Sequence, residues 1–193
     1  MDDQGKISEI FSSFQGEGIY WGKKQIFVRF SGCNMHCVYC DEAAKTFLLP
    51  YETLSPEAVR ERVLALEAAS GPHHSVSLTG GEPLLYPDFL EKLLPRLKSD
   101  GFLLYLDTNG TCPDALARII AWVDIIAMDI KLPSVTQDRF FGEEHRSFLE
   151  ISRCCERFVK IVITRDASLE DFDWAVHEMA RVDPKIPLVL QPV

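Results

Sequence analysis

The sequence predicts an α/β fold: a single domain over residues 1–193, built as an open (β/α)6 partial barrel. Three observations carry that expectation. Six short, nearly continuous apolar segments lie at residues 25–30, 76–79, 102–106, 124–130, 158–163 and 187–191. That is the pattern of parallel strands covered on both faces. Helical patterns fill the gaps, at 56–69, 87–99, 113–122, 145–157 and 169–181, so strands and helices alternate. The chemically unusual residues gather just after the strands, where parallel α/β folds place their chemistry. Six steps fall short of the eight in a closed barrel, so the sheet is expected to stay open.

The elements justify themselves in order. The first barrel strand carries Arg29 and runs into Cys33-Asn34-Met35-His36-Cys37-Val38-Tyr39-Cys40. Ser55-Pro56 is an N-cap followed by a first-turn proline, and Gly71 stands where the helix should stop. The acidic residues between 57 and 67 read as a solvated helix face, and His73-His74 as a solvated loop. The second strand ends in Thr79-Gly80-Gly81-Glu82-Pro83. The third ends in Asp107-Thr108-Asn109-Gly110, and Gly101 precedes it as a helix stop. Trp122 and Trp174 fall on helices as core residues. Asp129 and Lys131 bracket the end of the fourth strand. Cys154-Cys155 fall within the fourth helical pattern and are expected to be buried. Ser168 caps the last helix. The sequence ends just after the sixth strand, which leaves open whether a tail follows. There is no internal repeat, low-complexity tract or linker.

Composition narrows the function. Apolar content is 47% and charged content 25%, ordinary for a globular protein. A net charge of −9 argues against broad attraction to nucleic acid. No apolar run has membrane-spanning length, and no basic-then-apolar leader opens the chain, so no membrane partner is expected. The six cysteines do not look like a disulfide framework, since three share one loop and two are adjacent. A reducing cytoplasm is the expected location.

The cysteine loop is the most informative feature. Three thiolates can hold three irons of a 4Fe–4S cluster and leave the fourth iron open, whereas a cluster used only for electron transfer usually has four ligands. Zinc is the alternative, but a closed zinc site wants four ligands, and no second pair follows at that spacing. In Thr79-Gly80-Gly81-Glu82-Pro83 the glycines let backbone approach a ligand closely, and Glu82 offers a carboxylate to an ammonium group. A plain strand-to-helix turn would read the same in isolation. Asp107 and Asn109 could bond ribose hydroxyls or simply make a turn. Asp129 and Lys131 suit a ligand contact or a salt-bridged strand end. Arg29 suits a carboxylate ligand through two parallel hydrogen bonds, or a salt bridge to an acidic neighbour. Three unusual loops on one rim are hard to explain as packing.

The C-x3-C-x-x-C spacing, with Tyr39 before the third cysteine and the Gly-Gly-Glu loop, resembles the radical S-adenosylmethionine (SAM) superfamily. That resemblance implies the partial barrel, a cluster on Cys33, Cys37 and Cys40, and SAM chelated to its open iron. It also implies that the reduced cluster cleaves SAM to a radical that abstracts hydrogen from substrate. Tyr39, Cys40, Asp41, Gly81, Glu82, Asp107, Asn109, Asp129 and Lys131 become the SAM contacts. Gln15-Gly16-Glu17-Gly18, a first strand ending in Arg29, and the Gly-Gly-Glu-Pro loop sharpen the resemblance to the 7-carboxy-7-deazaguanine synthase family. This implies a lyase acting on 6-carboxy-5,6,7,8-tetrahydropterin, with Phe14, Gln15, Gly16, Arg29 and Thr79 against the pterin. The implied partners are that pterin, an electron donor such as flavodoxin or ferredoxin, and a second copy of the chain in a homodimer. Two departures stand out. Where many members have a hydroxyl residue that helps bind Mg²⁺, this chain has Glu42. Where many have Ser-Pro-Lys, it has Asp129-Ile130-Lys131, which looks more like glycyl-radical activating enzymes. An activase acting on a partner protein is therefore the second reading, and a non-catalytic iron–sulfur or zinc module the third.

Overall fold

The computed structural model describes residues 3–40 and 50–192. Strands β1 (Gly5–Phe14), β2 (Lys24–Phe30), β3 (Glu52–Leu54), β4 (Ser75–Gly80), β5 (Leu104–Thr108), β6 (Ile125–Asp129), β7 (Glu156–Ile163) and β8 (Leu188–Pro192) form one sheet in the order β3-β1-β2-β4-β5-β6-β7-β8. The six strands from β2 to β8 in that order run parallel, as the sequence predicts. The sheet is open. Helices α1 (Pro56–Ser70), α2 (Pro87–Ser99), α3 (Pro113–Ile119), α4 (Pro133–Thr136), α5 (Gly142–Ile151) and α6 (Leu169–Val182) join them. No helix among the described residues is long and apolar enough to cross a membrane.

Period-two alternation gives the sheet two different faces. Ile26, Val28 and Phe30 of β2, Val76 and Leu78 of β4, and Leu104 and Leu106 of β5 share one core with the helices. Helix α2 contributes most to it, burying Phe89, Leu90, Leu93, Leu94 and Leu97 completely. Each such side chain is worth about 1.5–3 kcal/mol on leaving water. The other face bears Gln25, Ser75, Tyr105, Ile125, Ala127 and Phe158 near the strand starts. The β1–β2 connection folds over that end. Gln15 donates to Gln25 (3.1 Å), which donates to Ser75 (2.9 Å), and Tyr20 packs edge-on against Tyr105. Gly18 has φ +68° and sits against the Phe158 ring, where a Cβ would collide. The face is therefore covered at one end and polar at the other.

Several expectations need correction. Strand β1 pairs antiparallel with β2 and β3 and extends the sheet by two strands. A register shift between Ile7 and Glu9 breaks its alternation, which hides it from a period-two reading. The helix expected at 145–157 starts at Gly142 and ends at Ile151, followed by a 3-10 turn, Ser152–Cys154. Glu156 and Arg157 belong instead to β7, paired with Ile125 and Ile126; neighbouring backbone overrides local propensity there. Cys154 is exposed rather than buried. The His73 side chain is fully shielded rather than solvated, bonded to Glu67 (2.5 Å) and Ser12 (2.7 Å).

Candidate active site

Three loops meet at the carboxyl ends of β2, β4 and β5. The cysteine loop leaves β2 and is pinned from several sides. Met35 N–H donates to Cys33 Sγ (3.4 Å), His36 N–H to Asp138 (3.1 Å), and Val38 N–H to the Thr136 carbonyl (3.3 Å). Met35 and Cys37 are buried against Phe141, while Cys40 faces solvent. Burial pushes the Cys33 thiol up to about 11. It raises Cys37 too, against the pull of Lys131. Metal binding to such thiols must displace their protons. Among the described residues no three His, Cys, Asp or Glu side chains converge on one point. Cys33, Cys37 and Cys40 share one loop, and three thiolates there are the donor set of a cluster whose fourth iron stays open.

The glycine loop after β4 lies against that cysteine loop. Gly81 N–H donates to the Phe30 carbonyl (3.0 Å) and Glu82 N–H to the Gly32 carbonyl (2.9 Å). A Cβ on Gly81 would overlap the Gly32 carbonyl oxygen, so backbone proximity alone requires glycine there. The Glu82 carboxylate is fully buried. It accepts from Thr108 Oγ1 (2.8 and 2.9 Å), Asn109 N–H (2.8 Å) and Leu84 N–H (3.0 Å). Burial pushes it up to about 7, against the pull of those donors. Asn109 carries the connection back: its amide donates to Asn34 (2.9 Å) and lies 3.8 Å from Cys33 Sγ. Behind it, buried His145 donates through Nε2 to the Asn109 carbonyl (3.1 Å). Burial holds that imidazole down to about 4, so it is neutral at pH 7.

The rest of the face carries charge. Arg29 reaches Glu9 across the β1–β2 pair (2.7 Å) and stacks near Phe11, which realises the salt-bridge alternative. Thr79 donates to Asp107 (3.3 Å). Lys131 contacts Asp129 (2.6 Å) and Tyr39 (3.3 Å to the hydroxyl, 5.4 Å to the ring centroid). Gln15 is buried, whereas Phe14 and Gly16 are exposed. Asp41 and Glu42 lie outside the described residues. The sequence reading assigned no role to Glu9, Asn34, His145, Glu17 or Lys160. Lys160 donates to both Asp107 (3.0 Å) and Glu17 (2.9 Å). One signal was present: a lysine in the middle of Phe158-Val159-Lys160-Ile161-Val162.

Two outcomes follow from this geometry. Glu82→Ala should destabilise even the metal-free chain by roughly 2–4 kcal/mol, because it strands buried donors. Urea unfolding checks this; unchanged apo stability would show that the carboxylate has no clamping role. For His145 the sign is set by proton uptake. Between its ordinary 6.5 and about 4, the unfolded chain binds a proton that the folded chain refuses. Stability therefore falls as pH drops through that window. His145→Gln, which keeps a donor but does not titrate, should flatten the slope relative to wild type in unfolding midpoints from pH 7 to 4.

Residues 27–171 match the family model described as the radical SAM superfamily. The chain is 40% identical to the 7-carboxy-7-deazaguanine synthase of Geobacter sulfurreducens, over 97% of this chain and 81% of the relative. It is 43% identical to the synthase of the same name from Methanothermobacter thermautotrophicus, over 96% and 81%. Its fold is similar to the crystal structure of QueE from Escherichia coli, with TM-score 0.68, 22% identity, and coverage of 98% of this chain and 84% of that one. With three cysteines after β2, a glycine loop apposed to them, and relatives matched over nearly its whole length, the chain belongs to the radical SAM superfamily and, within it, to the 7-carboxy-7-deazaguanine synthase family.

Proposed function

We propose that the chain is a radical SAM carbon–nitrogen lyase that converts 6-carboxy-5,6,7,8-tetrahydropterin to 7-carboxy-7-deazaguanine and ammonia. Substrate and product differ by ammonia alone, so no net oxidant is needed. The observation that carries the reading is the meeting of the cysteine loop and the glycine loop at the carboxyl ends of β2 and β4, beside Arg29, in a chain whose relatives bear that name. Superfamily membership implies a 4Fe–4S cluster and SAM. Cys33, Cys37 and Cys40 would hold the cluster. Tyr39, Cys40, Asp41, Gly81, Glu82, Asp107, Asn109, Asp129 and Lys131 would border SAM. When bound, cluster and SAM supply the hydrogen-abstracting radical. The chain's own residues bind and orient the pterin: Arg29 takes its carboxylate by exchanging Glu9 for the ligand, and Phe14, Gln15, Gly16 and Thr79 flank the rings. Mg²⁺ at Glu42 belongs to the same proposal, since a carboxylate is a suitable hard ligand. So do a flavodoxin or ferredoxin as electron donor, a homodimer, and a reducing cytoplasm, which keeps the thiols free.

The test is anaerobic reconstitution with iron and sulfide, followed by SAM, reductant and the carboxypterin, with and without Mg²⁺. Deazapurine should form. Alanine at Cys33, Cys37 or Cys40 should abolish SAM cleavage, whereas Cys112, Cys154 and Cys155 should tolerate it. SAM cleavage surviving in Cys37→Ala would overturn the cluster assignment. Arg29→Ala should raise the KM for the pterin at least tenfold, about 1.4 kcal/mol or more, and leave the KM for SAM within about twofold. Equal losses in both would make Arg29 a structural residue.

A further inference from the structure

Lys160 is a cation inside the sheet that the proposed chemistry leaves without a task. It is 5% exposed, on β7 between the buried Phe158 and the largely buried Val162. An ammonium there is costly unless paired. Two carboxylates pair with it from different parts of the chain: Asp107 at the end of β5 (3.0 Å) and Glu17 in the β1–β2 connection (2.9 Å). Asp107 also accepts from Thr79 (3.3 Å). The Glu17 backbone N–H donates to Gln15 Oε1 (3.1 Å). One ammonium thus ties the 15–18 turn to the strand ends that border the site. Stability does not account for this arrangement. A packed apolar side chain is often as good as a buried ion pair or better, and the neighbours on β7 are apolar. Buried charges of this kind, facing a site, more often serve the site.

We propose that Lys160 is a positioning residue for pterin binding. Its ammonium fixes the Glu17 carboxylate, and with it the turn bearing Gln15 and Gly16, opposite Asp107. Glu17 suits the task chemically. Its side chain is 44% exposed, so one oxygen can serve Lys160 while the group still reaches ligand. A pterin offers an amino group and an adjacent ring N–H, the donor pair that a carboxylate accepts in parallel. Without Lys160, Glu17 would be drawn to water and the turn would lose its ionic tie to β7.

This inference rests on the lyase reading. The experiment uses reconstituted, SAM-bound protein under anaerobic conditions. It measures the Kd of the carboxypterin by equilibrium dialysis, beside KM, kcat and cluster absorbance. Lys160→Met should raise Kd and KM at least tenfold, with a smaller change in kcat and the cluster spectrum kept. Glu17→Gln should do the same. The double variant should be no worse than Lys160→Met within about threefold, because the two residues act as one unit. Unchanged Kd in either single variant overturns the proposal, and so do effects that multiply. If Lys160→Met fails to fold, Glu17→Gln decides: a raised Kd supports the proposal and an unchanged one overturns it. A wild type that neither binds nor converts the pterin overturns the lyase reading and this inference together. A wild type that does both, beside variants of unchanged Kd, overturns the inference alone.

Discussion

The rim of this sheet depends on one buried carboxylate. Glu82 has no exposed surface, yet its oxygens are met by a hydroxyl and two backbone N–H groups. Its own backbone N–H is spent on the Gly32 carbonyl. One residue therefore binds the loop after β4 to the loop after β5 on one side and to the cysteine loop on the other. Removing any one donor would cost about 0.5–1.5 kcal/mol net; removing the carboxylate strands them all. The Gly81–Gly32 contact is a consequence. Once Glu82 is anchored inside, the preceding residue is pressed onto the cysteine loop, and only glycine fits.

The same logic orders the charges. A parallel sheet covered by helices on one face has to keep its other face dry or make use of it. Here the strand starts are closed by Tyr20, Tyr105 and Phe158, and the strand ends hold paired ions. Lys131 sits between Asp129 and Tyr39, and Lys160 between Asp107 and Glu17. By contrast, the ion pairs outside the sheet, such as Arg118 with Asp88 and Glu91, are well exposed and contribute little. The distribution separates solubility on the outside from ligand geometry on the inside.

Much of this was legible in the residues. Six parallel strands could be read because each is mostly apolar, one face of it packed under the helices, and the caps at Ser55 and Ser168 accept the N–H bonds expected of them. The meeting of the cysteine and glycine loops was legible because each follows a strand. What escaped had physical reasons. β1 is bulged and half exposed, so its period was lost. Cys154 to Arg157 are compatible with helix, and only pairing with β6 makes part of them strand. The bonds that hold Glu82, to Thr108 and to the Asn109 and Leu84 N–H groups, depend on a side-chain direction that spacing does not encode. Arg29 looked like a ligand group, and its cross-strand partner Glu9 could not be known until β1 was placed.

Charge balance links the fold to the cofactors it suits. Among the described residues, Glu9, Glu17, Glu82, Asp107 and Asp129 gather at the strand ends against Arg29, Lys131 and Lys160. Burial raises the Cys33 and Cys37 thiols, and a nearby carboxylate, Glu82 for Cys33 and Asp129 for Cys37, adds to it. A bound cation reverses the local balance. A cationic iron–sulfide core beside the thiols and a sulfonium ligand next to it are the charges this end lacks. The carboxylate of a pterin would add to the excess, unless it took over the Arg29 guanidinium from Glu9. Glu9 is half exposed and can be released to water at little cost. The Arg29–Glu9 ion pair is partly exposed and contributes little to stability, so in the proposed reading Glu9 can yield to a ligand carboxylate.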